Sequence, residues 1–394
     1  MLFRSVSSLG PGVEPLLQAL REQKVGLGPI DRLGLTGMKS SLAGLVPPFR
    51  GADIDRRIDF KAMNPISRFA TAAARLALGN AGLRVGRRNA ENVGIVMGVC
   101  NGPDEQAHMD SVFSSESYAA DVTSFSNITA NSTAGWVSNA LCLKGVNTTL
   151  APGLHAGLQS MAYAFDTLAE GRVETLLAGA ADEVYPQTYY NYDLIDFLYC
   201  GEQEGDYRIR PDVAKRKVLG EGAGMMVMET LDAAKARGAT VLAEVLGYGM
   251  SMDADRFSGQ CLSSAGMGHA LQLAVERSSV DPETIDLVVW APQGNAQDRK
   301  VLEALRKLLG RRYAAVPPAT TTFNTGFIEA ASIVVSLAAA LRSVNDGARL
   351  WPQRTGIPEL DRRTLAGPPR HSLVCAGSDL GYNYALIVKN GPVT

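Results

Sequence analysis

Continuous apolar runs alternate along this chain with segments whose apolar residues recur at helical spacing. Residues 93–99 are a continuous apolar run and residues 285–291 a mostly apolar one, patterns typical of strands buried within a sheet. Residues 59–83 contain apolar residues at helical spacing, and this helix is expected to begin after Asn64 and Pro65. The alternation predicts strands and helices stacked in α/β layers.

The most informative stretch is residues 145–168. Residues 147–150 form a β-branched run that suits a buried strand, and the Ala-Pro-Gly sequence at 151–153 breaks it. Residues 156–168 are small and apolar nearly all round, which predicts a buried helix. The turn would point the helix N-terminus, with its free N–H groups, at a pocket. A second small-residue helix is predicted at residues 329–344.

Three other segments have weaker patterns. Residues 6–10 indicate only a short stub of strand, and residues 188–205 indicate a loop rich in aromatic side chains. Lys215, Arg216 and Lys217 form a basic triplet. We expect this triplet to be either solvated surface or a docking patch for an acidic protein.

Composition and charge exclude several classes of function. The 394 residues are enough for a large core, and the formal net charge of −2 argues against a nucleic-acid binder. No apolar run approaches the roughly 20 residues of a membrane span, and residues 1–10 lack an apolar signal core, which favours a cytoplasmic protein. The five cysteines and four histidines lack metal-ligand spacing, so we expect no metal or other cofactor.

The sequence Lys144-Gly145-Val146-Asn147, followed by the break and the small-residue helix, resembles the β-ketoacyl synthases, the condensing enzymes of fatty-acid and polyketide synthesis. Their motif is K-G-P-N-x-x-x-x-T-A-C-A-S-G-x-H. Residues 69–83 and 218–231 also match family segments. The resemblance implies a thiolase-like fold, with five layers in the order α-β-α-β-α and two duplicated halves. We place these halves at residues 1–240 and 241–394.

The residues that carry the family's chemistry are absent at the matching positions. Leu154 stands at the nucleophilic Cys, and leucine has no nucleophilic atom. Gln293 stands at the first catalytic His, and Phe327, or Asn324 in another alignment, stands at the second. Asp379 stands at the gating Phe of the C-terminal glycine-rich loop. We therefore assign no catalytic residue.

The resemblance then implies a non-catalytic subunit, a chain length factor, in a polyketide or aryl-polyene system. Such a subunit forms a heterodimer with an active ketosynthase and shapes the acyl tunnel of the β-ketoacyl-acyl-carrier-protein synthase. Its second partner would be an acyl carrier protein with a phosphopantetheine-tethered acyl chain. The residues expected at the acyl pocket or interface are Ser124, Phe125, Asn131, Leu154, His155, Gln159 and Asp379.

Two alternatives remain open. The chain could be an acyltransferase, hydrolase or decarboxylase with altered chemistry that uses His155, Cys200 or Asn324. It could also be a homodimeric scaffold that holds an acyl chain or a carrier protein. For each tunnel residue, plain packing is a competing explanation.

Overall fold

The computed structural model of the chain consists of two sheets that enclose a layer of helices. It describes residues 2–101, 126–200, 217–253, 263–294, 297–347, 350–353, 355, 357–378 and 380–391. Three of the predicted site residues, Ser124, Phe125 and Asp379, therefore lie outside the described residues.

The described strands and helices follow one another along the whole chain. The strands are β1 (Leu2–Ser7), β2 (Gly10–Pro11), β3 (Gly28–Pro29), β4 (Leu42–Ala43), β5 (Val93–Gly98), β6 (Asn147–Leu150), β7 (Thr175–Asp182), β8 (Gly222–Glu229), β9 (Ala243–Met252), β10 (Ile285–Trp290), β11 (Pro318–Ala319), β12 (His371–Gly377) and β13 (Tyr382–Asn390). The helices are α1 (Val13–Arg21), α2 (Gly51–Ile54), α3 (Pro65–Asn80), α4 (Ser132–Leu141), α5 (Ala156–Ala169), α6 (Pro186–Leu194), α7 (Leu231–Ala236), α8 (Ala265–Ser278), α9 (Gln297–Leu309), α10 (Thr322–Thr325), α11 (Ser332–Asn345) and α12 (Pro358–Asp361).

The layers are those of a thiolase-like fold. The first sheet has the order β2-β1-β8-β7-β5-β6, the second has the order β11-β10-β12-β13-β9, and β3 and β4 form a separate pair. Helices α5 and α11 contact strands of both sheets and form the middle layer. Helix α3 covers the outer face of the first sheet, and α8 and α9 cover that of the second. The predicted five-layer α/β architecture is confirmed.

Sequence patterns account for the helices that matter most. The Asn64 side chain accepts a hydrogen bond from the Ser67 N–H, and Pro65 occupies the first turn of α3, as predicted. Helices α5 and α11 are buried over most of their surface because their small and apolar residues face both sheets. Among the described residues, the largest cluster of buried apolar side chains therefore lies around these two helices.

Three local predictions were wrong. Residues 147–150 form a strand, but β6 is the edge strand of its sheet, with Asn147 exposed and the next three residues half-buried. The N-terminal stub is the full strand β1, which is fixed by antiparallel pairing with β8 rather than by its own pattern. The aromatic segment begins with helix α6, which Pro186 opens in its first turn.

Candidate functional site

The start of α5 lies where the first turns of the two central helices meet. Gly153 and His155 have left-handed backbone angles (φ 105° and 63°), so the chain turns sharply between β6 and α5. The His155 N–H donates a hydrogen bond to the Glu329 carbonyl (3.3 Å). The Gly157 N–H donates to the Ala330 carbonyl (3.1 Å). These two bonds hold the start of α5 against the segment that leads into α11.

Gly157 is required for this close approach. A Cβ atom at this position would lie 2.8 Å from the Ala330 carbonyl oxygen, closer than ordinary van der Waals contact. The family-like Gly in the helix therefore has a packing role that does not depend on any chemistry at the helix start.

Leu154 and His155 occupy the tip of the turn. The Leu154 side chain is 2% exposed, and His155 is fully buried. Burial lowers the pKa of His155 to about 3; the nearby backbone of Gly377 acts to raise it, and the Lys217 ammonium acts to lower it further. The imidazole is therefore neutral at physiological pH. Within the described residues, neither ring nitrogen makes a hydrogen bond of normal geometry.

Phe327 and Gln293 meet His155 from the second half of the chain. The Phe327 ring is fully buried and packs edge-on against the His155 ring, with centroids 5.5 Å apart. Gln293 is also fully buried, and its Nε2 donates to the Gly377 carbonyl (2.9 Å). The structure thus places Leu154 directly before His155, Phe327 against its ring, and Gln293 at the Gly377 backbone that also lies near His155.

Lys217 completes this group. Lys217 is 1% exposed, and its ammonium lies 4.4 Å from the ring centroid of Tyr192 and 5.2 Å from that of Phe327. The prediction that the basic triplet is surface or docking patch is therefore wrong at Lys217; Lys215 and Arg216 lie outside the described residues. We call Leu154, His155, Gln293, Phe327 and Lys217 together the helix-start site.

A pair of buried carboxyl groups borders the helix-start site. Asp182 accepts hydrogen bonds from the N–H groups of Cys100 (3.0 Å) and Ala330 (2.7 Å). Burial and the charge of Glu329 raise the pKa of Asp182 well above its ordinary value. The Tyr192 hydroxyl donates to Glu329 Oε1 (2.8 Å). These groups support the helix start from the side of the first sheet.

The other predicted site residues have different surroundings. Asn324 Nδ2 donates to the Lys24 carbonyl (2.9 Å), so this side chain anchors a loop and does not face His155. Gln159 is half-buried, one helical turn after His155. Asn131 is exposed just before α4.

Cys200, the other alternative nucleophile, is exposed and follows Tyr199, whose N–H donates to the Lys217 carbonyl. Its Sγ is 3.6 Å from the Ser40 hydroxyl and 3.5 Å from the Leu198 carbonyl oxygen. Neither group is a general base of the kind that activates a cysteine. The surroundings of Cys200 therefore do not resemble those of a catalytic thiol.

Sequence reasoning missed Lys217, Tyr192 and the Asp182–Glu329 pair. The signals that could have found them were an aromatic cluster at residues 189–199 and the position of Lys217 next to an apolar strand. Both signals are ambiguous, because aromatic and basic residues are also common on surfaces.

The site has little reactive chemistry. The residue at the helix start has no nucleophilic atom, and the adjacent imidazole is buried and neutral. Among the described residues, no group of three or more His, Cys, Asp or Glu side chains could hold a metal ion. Likewise, no described helix is long and apolar enough to cross a membrane. A helix start held between two sheets in five layers places the chain among the thiolase-like proteins.

Comparison with known proteins defines the family. The N-terminal domain of β-ketoacyl synthases matches residues 5–234, and the C-terminal domain matches residues 242–353. The chain therefore belongs to the β-ketoacyl synthase family.

Individual relatives agree with this assignment. Nodulation protein E of Rhizobium sp. (strain N33) is 26% identical over 86% of this chain and 84% of its own length. The ishigamide ketosynthase/chain length factor structure is 25% identical, with a TM-score of 0.83 over 99% of this chain and 98% of that one. A β-ketoacyl synthase from Burkholderia phymatum (24% identity, TM-score 0.85, 99% and 98% covered) has the same fold.

Proposed function

We propose that this chain is a chain length factor: a ketosynthase-like subunit without catalysis of its own, which pairs with an active ketosynthase in polyketide or polyene biosynthesis. The observation that carries the proposal is Leu154, a buried side chain without a nucleophilic atom, at the start of the central helix. Covalent acyl transfer requires a nucleophile at that point. The similarity to the ishigamide ketosynthase/chain length factor supports the same conclusion.

The packing of the helix-start site supports the absence of condensation. Gln293 and Phe327 stand where the resemblance places the two catalytic histidines, and both are fully buried. His155 could replace neither as a cationic acid, because burial lowers its pKa to about 3. The site is therefore built to pack rather than to transfer protons.

Strand β6 is the feature that favours a dimer. Val99 N–H donates to the Leu150 carbonyl, and Ile95 N–H donates to the Val146 carbonyl, so even-numbered residues of this segment face β5. The N–H and carbonyl of Thr149 then face the other edge, where no further described strand pairs with β6. Such an edge is a template for a strand of another chain, here the ketosynthase partner.

The remaining parts of the proposal follow from this pairing. Asn131 and Gln159, with Ser124, Phe125 and Asp379, would line the tunnel or the interface shared with the partner. The acyl chain would arrive on the phosphopantetheine of an acyl carrier protein, in the cytoplasm, and would be attached to the ketosynthase alone. The halves at residues 1–240 and 241–394 would act as one body in this complex.

The test is to co-express the chain with a ketosynthase from its own genomic neighbourhood and to determine the mass of the purified complex. Acyl and malonyl carrier proteins are then added, and the acyl label is located by mass spectrometry. A one-to-one heterodimer that elongates, with all label on the partner, is expected. A homodimer that takes label at His155 or Cys200, or that releases carbon dioxide alone, would instead support altered chemistry. An unlabelled homodimer that binds no ketosynthase would support the scaffold alternative.

A further inference from the structure

Lys217 is a fully buried cation held by aromatic rings. Its ammonium lies within 6 Å of three ring centroids: Tyr192 at 4.4 Å, Phe327 at 5.2 Å and Phe197 at 5.8 Å. No carboxylate among the described residues lies within salt-bridge distance of it. Burying a charge without an ion pair is costly, and several ring faces together offset part of that cost. The rings therefore define one position for this side chain.

The backbone around Lys217 is fixed on both sides. Lys217 N–H donates to the Phe197 carbonyl, and the Lys217 carbonyl accepts from the Tyr199 N–H, both at 3.0 Å. Phe327 N–H donates to the Val218 carbonyl at 2.7 Å, so the ring-bearing segment is bonded to the next residue of the lysine segment. The ammonium and its ring partners are thus joined by backbone hydrogen bonds as well as by side-chain contacts.

The same rings connect Lys217 to the start of α5. Phe327 contacts the Lys217 ammonium with its face and the His155 ring in an edge-on arrangement. Tyr192 contacts the ammonium and also donates to Glu329, whose backbone carbonyl accepts from the His155 N–H. Lys217 is therefore linked through both rings to His155, the residue that directly follows the position that an acyl nucleophile would need.

We propose that Lys217 acts as a latch that closes this chain's helix-start site against acyl chains. A long side chain, held by three rings, packs against the same Phe327 ring that contacts His155, so exclusion does not depend on Leu154 alone. This inference deepens the proposed function and rests on it, since a site closed on this chain leaves the acyl group to the partner. Lys217 is thus a specificity-determining residue that rejects a ligand.

The test uses the full-length chain with Leu154→Cys as a reporter and iodoacetamide as the probe. Peptide mass spectrometry separates alkylation at position 154 from that at Cys142, which is exposed, and Cys375, which is buried. With Lys217 present, we expect position 154 to react at least about tenfold more slowly than Cys142, because a thiol must be accessible to react.

Two further variants separate bulk from charge. Leu154→Cys with Lys217→Ala should react about tenfold faster than Leu154→Cys alone, because the space beside position 154 is opened. Leu154→Cys with Lys217→Met should stay within about threefold of Leu154→Cys, because methionine keeps the bulk and its sulfur packs well against rings. Removing the Lys217 charge would by itself make the thiol at position 154 less reactive. A faster reaction in the Lys217→Ala variant therefore indicates that iodoacetamide reaches this thiol more easily.

Fast alkylation at position 154 while Lys217 is present would overturn the inference, and this comparison needs no Lys217 variant to fold. An unchanged rate in a folded Lys217→Ala chain would overturn it as well. Acyl label on the wild-type chain alone would instead refute the proposed function, so the two failures are distinguishable.

Discussion

Glu183 should make the stability of this protein fall as the pH rises toward 8. Burial is the main cause that raises the pKa of its carboxyl group from 4.5 to about 8, and the charge of Glu221 adds to it. The N–H of Ile66, which donates to Glu183 at 3.0 Å, acts in the opposite direction. The folded protein therefore keeps this group protonated in a range where the unfolded chain ionises it.

The sign and the size follow from this difference. The raised pKa of Glu183 stabilises the folded state, and this contribution is complete below about pH 4.5. The contribution is lost as the pH rises through about 8. A shift of 3.5 units, from 4.5 to 8, corresponds to at most about 4.8 kcal/mol at ~1.36 kcal/mol per unit. About 3 kcal/mol of this falls between pH 5.5 and pH 8.5. Because Glu183 is only partly buried, solvent reduces the expected loss to about 1.5 kcal/mol.

The Glu183→Gln variant removes the titration but keeps an oxygen that accepts from Ile66. Urea unfolding, followed by tryptophan fluorescence at pH 5.5, 7.0 and 8.5, gives the free energy of unfolding of both proteins. The variant should gain about 1.5 kcal/mol on the wild type between the lowest and highest pH. Glu91→Gln, a change at an exposed glutamate, is the matched control and should give no such gain. A difference between variant and wild type that is constant with pH would refute the reasoning.

Three shorter predictions concern other regions. Burial acts to raise the pKa of Asp286, but ion pairing with Arg370 outweighs it and lowers the pKa to about 2. Asp286→Asn should therefore lower the free energy of unfolding by about 1–2 kcal/mol at pH 7, measured by urea unfolding. This loss should disappear as the pH falls through 2, and a loss that persists would count against the ion pair. Tyr192→Phe should lower the free energy of unfolding by about 1–2 kcal/mol, because the buried Glu329 carboxyl loses a hydrogen-bond donor. An unchanged midpoint of urea unfolding would contradict this hydrogen bond. Thr149→Pro removes an outward N–H of β6. The variant should stay folded by circular dichroism, but its co-purification with the ketosynthase should weaken by about tenfold or more. Full co-purification would place the interface elsewhere.

Much of the fold could be predicted because its patterns are local. The helix that Asn64 caps, the buried helix after Gly153 and the apolar strand at residues 93–99 all follow from spacing and capping residues. Strand β1 could not be predicted in the same way, because its pairing with β8 joins residues that are more than two hundred positions apart. The edge position of β6 is likewise a property of the sheet and not of four residues.

The candidate site could be predicted only at positions that can be aligned with the sequence motifs of the family. Leu154 was found by counting from residues 144–147, and Gln293 and Phe327 by counting from neighbouring glycines; the structure packs Phe327 against His155 and bonds Gln293 to Gly377. Lys217 was misjudged because a basic triplet is usually solvated, and only the tertiary fold turns this one side chain inward. Asn324 was left open because two alignments were possible, and its bond to a loop carbonyl shows that it anchors the backbone.

The backbone of the turn before α5 and the chemistry of the side chain at its tip are set by different constraints. Gly157 has no room for a Cβ against the Ala330 carbonyl, and the N–H groups of His155 and Gly157 bind carbonyls of the segment before α11. These features are needed to pack two central helices between two sheets, whether or not a reaction takes place there. The side chain at position 154 takes no part in these backbone bonds, so a reactive atom there can be replaced by an apolar one without loss of the bonds that hold the turn. The chain length factor that we propose can therefore keep the whole architecture without condensation, and with it the edge strand through which we expect it to pair with an active partner.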